Sequence, residues 1–132
     1  MTLRKTHFWF GLIGVAVFLA TGIYMRVGFP DLYAANEIVR YHYRANHIYI
    51  LLAGLLNLSL GCYLRLGAGW RKQLAVLGSA LLLLAPVVLV AAFILEAPKG
   101  APDRPLTLIG IFMAFIGVLC HALGRSVGEH AA

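Results

Sequence analysis

The chain has 132 residues, 61% of them hydrophobic and only 12% charged, and its mean hydropathy is +0.85. Those values exclude a soluble globular domain, in which about a quarter of residues are charged. The net charge of +6 is divided between the two ends of the apolar runs, as basic residues at membrane surfaces are, so it implies no nucleic-acid partner.

Crossing a hydrocarbon core of about 30 Å takes about 20 helical residues. Four uncharged runs approach or exceed that length: Phe8 to Met25, Ala45 to Leu64, Gln73 to Leu95 and Pro105 to Gly124. In lipid every backbone polar group needs a partner within its own segment, and none of the runs alternates with period two, so all four are predicted helices. Short connections make consecutive helices antiparallel neighbours. The expected fold is an all-α integral membrane protein, one transmembrane domain over residues 1–132, built as an antiparallel four-transmembrane-helix bundle whose first partner is the lipid bilayer.

Arg4 and Lys5 precede the first run as they would in a signal peptide, but no small-x-small cleavage site follows it, and a retained helix is expected. On that helix His7, Gly11, Gly14, Phe18, Thr21 and Met25 share one face by spacings of three and four. Small residues mark faces where membrane helices approach each other, so this stripe is predicted to point into the bundle.

Between Arg26 and Arg44 lies the longest connection. Within it Asn36 is placed to cap a helix that begins outside the membrane, with Glu37 in the first turn. The second helix then carries Glu37, Arg40, Arg44 and His47 toward Gly54 and Gly61 on one stripe, with Asn57 between the glycines. Asn57 falls near mid-membrane, where a hydrogen bond across the bundle is expected; lining a substrate or quinone cavity is the alternative. His42 precedes His47 by five residues, about 140° around the helix, so the two do not share a face. The third helix carries Gly78, Ser79 and Ala85 and is interrupted at Pro86, which is expected to bend it; Glu96 marks its outer exit. In the fourth, Gly110, Gly117 and Gly124 recur every seven residues with Ala114 between, and His121 follows Gly117 by one turn. Cys62 and Cys120 stand alone and are expected to pack as small apolar residues.

Lys and Arg near the helix ends number six on the side of the N-terminus and five on the other, which places both termini in the cytoplasm. Trp9 and Trp70 then mark the inner interface and Tyr24, Tyr41, Tyr43 and Tyr49 the outer one. The small size and the lack of a targeting segment point to a bacterial inner membrane.

Depth decides which candidate ligands can meet. His7 stands just before the first run, and His121 lies four residues, about 6 Å, inside Arg125, so both belong near the inner rim on inward faces. Two imidazoles at one depth, with Gly11 and Gly117 each a turn away and Arg125 at the boundary, suit a b-type haem: the rings supply axial ligands, missing side chains leave room for the macrocycle, and Arg meets the propionates. At the outer rim His47, His42, Met25 and Glu96 form a second candidate set, for a transition metal such as zinc, copper or iron.

The stretches "HFWFGLIGVAVFLATG" and "GVLCHALG" make the chain resemble the small four-helix b-type cytochromes of bacterial membranes. That resemblance implies haem b and electron transfer, with a quinone or other redox partner; the double pair of histidines usual there is missing. The run "EIVRYHYRAN" resembles the Glu, Arg, His, Asn run of the membrane-associated eicosanoid and glutathione metabolism family, also four-span proteins, and implies a membrane enzyme. Here Asn46 is displaced and Tyr49 stands where that family has an acid.

No Asp, Glu, Lys or Arg lies within the four runs, which argues against a stand-alone active transporter. No Ser, His and acid set and no nucleotide-binding glycine loop supports hydrolytic or ATP-driven chemistry. The expectation is therefore a small bis-His haem protein. A cofactor-free accessory or assembly subunit of a larger membrane complex, or of a homo-oligomer, stands as the competing class, with the outer-rim metal protein and the glutathione-type enzyme as further alternatives.

Overall fold

The computed structural model describes residues 2–32 and 35–125, and of residues 30–32 the backbone alone. Four long helices run Leu3–Leu32 (α1), Glu37–Tyr63 (α2), Trp70–Leu95 (α3) and Pro105–Gly124 (α4), with a 3-10 turn at Ala97–Lys99. Each is long and apolar enough to cross a membrane, and no strand occurs among the described residues. The last helix has the limits predicted for it. The first three extend further, because Arg26 and the basic residues near Trp70 continue the helical backbone past the apolar run into the headgroup zone.

Local chemistry explains the ends. Asn36 is extended (φ −115°, ψ 91°) and its side chain accepts from the Val39 N–H at 3.1 Å, the predicted N-cap of α2. At the far end of that helix, Arg4 Nε donates to the Gly61 carbonyl at 3.0 Å, placing a cation where unpaired carbonyls collect. Pro105 opens α4, a position that needs no N–H donor. The turn before it reverses at Gly100 (φ +61°), where a Cβ would also lie 2.9 Å from Val39 Cγ2.

The chain forms two antiparallel hairpins, α1 with α2 and α3 with α4, joined along α2 and α3; the backbones of α1 and α4 do not come close to each other. Each hairpin closes on its glycine stripe. A Cβ on Gly14 would lie 2.9 Å from Gly54 Cα, and a Cβ on Gly78 would lie 2.8 Å from the Gly117 carbonyl. Close backbone approach of this kind is how helices associate where lipid removes the hydrophobic driving force. Toward the α3–α4 turn, Val39, Tyr43, Ile50, Leu89 and Phe93 fill the interior; nearer the other rim Leu82, Ala85 and Ala114 do so. Leu19, Ile23, Val27, Ile94 and Phe115 remain exposed, a lipid-facing surface. Cys120 is buried as expected, whereas Cys62 is exposed, and both are free thiols.

Candidate functional site

A buried polar layer crosses all four helices. His7, in the first turns of α1, is 0% exposed, and its Nδ1 lies 2.7 Å from Asn57 Oδ1 on α2. The amide of Asn57 donates through Nδ2 to the carbonyl of Ala53 at 2.9 Å and to that of Leu82 on α3 at 2.6 Å. Those two carbonyls accept only, so Nδ2 must face them and Oδ1 must face His7. His7 therefore donates from Nδ1–H, and in the neutral ring Nε2 carries a lone pair. That nitrogen is buried without a partner among the described residues.

The bond to Leu82 accounts for the proline in α3. Pro86 has no N–H to give the carbonyl four residues earlier, which is that of Leu82. Asn57 supplies the missing donor from the neighbouring helix.

On the second hairpin Ser79, fully buried on α3, lies with Oγ 3.1 Å from His121 Nε2 on α4. The rings of His7 and His121 approach to 6.4 Å between centroids, at 78° to each other. The structure thus brings the two predicted inner-rim histidines together, each steadied by a side chain of the adjacent helix. The glycines beside them have another role. A Cβ on Gly11 would run into the Leu58 backbone of α2, and one on Gly117 would lie 2.6 Å from Leu82 Cγ. The room expected at Gly11 and Gly117 is taken by neighbouring helices.

His121 also faces a groove of about 600 Å³ between the ends of α2 and α4, lined by Leu60, Tyr63 and Val118 and by Arg4, Arg65 and Arg125. Arg125 thus stands on the same groove as His121, as predicted for a boundary residue.

At the opposite rim the four candidate metal ligands fall into two separate places. His47 stacks on Phe18 at 4.0 Å and 19°, with Nδ1 2.9 Å from Thr21 Oγ1. The single hydroxyl proton of Thr21 goes to the Phe18 carbonyl at 2.9 Å, so His47 is the donor, and its ring seals the seam against Gly22. Met25 packs one turn further along α1. His42 and Glu96 lie instead where α2 meets the α3–α4 turn. Glu96 accepts the N–H groups of Leu106 at 2.5 Å and Thr107 at 2.9 Å, with the Thr107 hydroxyl at 2.8 Å. Its carboxylate closes the N-terminus of α4, where the helix dipole favours a negative charge. No three His, Cys, Asp or Glu side chains among the described residues are grouped to hold a metal ion. The expectation that His47, His42, Met25 and Glu96 share one site is corrected accordingly: the carboxylate is occupied by backbone donors, and the rotation of α2 turns the two histidines toward different helices.

One feature escaped the sequence reading. Asn46, 0% exposed, accepts from Arg104 Nη2 at 2.6 Å and lies 3.0 Å from the Thr107 hydroxyl, tying α2 to α4. Glu37 of the "EIVRYHYRAN" run is exposed while His42 and Asn46 are buried, so that run does not converge on one surface. The Asn57 bond had a signal, since the position four before Pro86 and Asn57 lie at comparable depth. The Asn46 contact had none, because nothing in the sequence says toward which helix that amide turns.

Against known proteins, the chain matches no family model, no curated protein and no solved structure.

Proposed function

We propose that this chain is a small redox protein of a bacterial inner membrane, with both termini cytoplasmic, that holds a b-type haem between His7 and His121. The observation that carries the reading is the buried, unpartnered Nε2 of His7, on a ring whose tautomer Asn57 sets. A metal-binding histidine almost always gives its other N–H to a fixed acceptor in this way. His7 and His121 would supply the imidazoles that hold such a group, and their rings stand 6.4 Å apart between centroids.

Haem held by two histidines supplies one-electron transfer between a membrane donor such as quinol and a protein partner. The chain's own groups hold and orient: Asn57 aims His7, Ser79 holds Nε2 of His121 and leaves it Nδ1, and Arg125 with Arg4 offers guanidinium groups to carboxylates at the rim. Protein purified in mild detergent after expression with ample haem should show a Soret band, and His7→Ala and His121→Ala should each remove it without loss of membrane insertion. A colourless wild type overturns the reading.

A second reading, a cofactor-free accessory subunit of a larger membrane complex, is favoured by the filled spaces at Gly11 and Gly117. On that reading the polar layer only joins the four helices. The same absorption measurement separates the two, and cross-linking in native membranes would look for the larger complex.

A further inference from the structure

We infer that the groove between the ends of α2 and α4 is a seat for an anionic phospholipid, with its phosphate among Arg4, Arg65 and Arg125 and an acyl chain along Leu60 and Val118. Among the described residues three arginines and no carboxylate line this groove, so its charge complements an anion and not a zwitterion. Its volume of about 600 Å³ falls within the range of about 300–1,000 Å³ usual for small-molecule sites. The placement fits a lipid: Arg65 and Arg125 directly follow the capping end of α2 and the last residue of α4, at headgroup depth, while the remaining walls are mainly apolar. Basic pockets between transmembrane helices on the cytoplasmic side are recognised seats for anionic headgroups.

Carbonyls at the end of α2 would oppose an anion there, and two of them are covered. The Leu64 N–H takes the Leu60 carbonyl at 2.9 Å, and Arg4 Nε takes that of Gly61 at 3.0 Å. With Nε so held, the Arg4 fork keeps its two terminal nitrogens as donors, and a planar guanidinium suits phosphate in paired hydrogen bonds.

This groove shares His121, Arg4 and Arg125 with the proposed haem site, and the lipid seat stands without a haem. The test uses the full-length protein in non-ionic detergent, exposed to phosphatidylglycerol or phosphatidylcholine with identical acyl chains and read by native mass spectrometry. Wild type should retain phosphatidylglycerol at least ten-fold better. Arg65→Gln and Arg125→Gln should each lower retention by about five-fold, and the pair together should bring it close to the phosphatidylcholine level. Arg44→Gln and Lys99→Gln, which remove the same charge at the opposite rim, should leave retention unchanged, and inorganic phosphate should not displace the lipid. His7→Ala, whose ring is buried and does not line the groove, should retain the lipid whether or not the wild type is coloured. Equal retention of the two lipids, or an equal effect of substitutions at the two rims, overturns the lipid seat. A gain of retention in His7→Ala over a coloured wild type would assign the arginines to a haem instead, and displacement by phosphate would make the site one for a free anion.

Discussion

Asn57 on α2 donates its amide hydrogen to the Leu82 carbonyl on α3 at 2.6 Å, the carbonyl that Pro86 leaves without a donor. In hydrocarbon no water can take that role, and an unpaired carbonyl there costs several kcal/mol. The proline and the asparagine therefore act as one unit although they lie on different helices.

Their coupling is measurable. Asn57→Leu should destabilise the protein by about 1–2 kcal/mol in a detergent unfolding titration. Pro86→Ala returns an N–H to the Leu82 carbonyl, so Asn57→Leu should cost less in that background. A double-mutant cycle with no interaction energy would contradict the pairing.

If His7 binds iron, Asn57 is a positioning residue for it. Asn57→Leu should then weaken haem retention by about 10–100-fold and shift the Soret band while some haem still binds. Ser79→Ala should act in the same direction on the His121 side. Unaltered haem retention in both variants would argue against the assigned tautomers.

The opposite-rim histidine should behave as a seam residue. His47→Phe keeps a ring against Phe18 and loses the Thr21 bond, a change of about 0.5–1 kcal/mol, whereas His47→Ala loses both and should cost more. Neither substitution should alter haem content. Bound metal that disappears with His47→Ala would reverse this assignment.

Glu96 serves as the N-terminal cap of α4. Glu96→Ala should cost about 1–2 kcal/mol, with faster amide hydrogen exchange at Leu106 and Thr107, and Glu96→Gln should lie between because its amide can offer only one acceptor oxygen. Unchanged exchange at those two amides would show that the carboxylate is not needed to close the helix.

At the crossing of the first hairpin, a Cβ on Gly54 would lie 3.1 Å from the Gly14 carbonyl carbon. Gly54→Val should force α1 and α2 apart at a cost of about 1–3 kcal/mol, read in the same unfolding titration. Val at the exposed Ala80, on the lipid side of α3, should cost little by comparison.

Much of this protein is written locally. The four spans follow from apolar length, the start of α2 from Asn36, and the seams from glycines spaced by three, four and seven, because one helix's period and its depth in lipid depend on its own residues. The meeting of His7 and His121 was legible for the same reason, since depth and face were both available for each. What required the tertiary structure was the partner each face meets. Gly11 and Gly117 lie on contact faces as predicted, yet those contacts are with α2 and α3, because the backbones of α1 and α4 do not come close to each other. His47 and His42 turn to different neighbours for a like reason, and Glu96 closes a helix ten residues further along the chain. A sequence specifies which side of a helix is sticky; the rotation of each helix about its axis, and hence which sticky sides face each other, is set jointly by all four.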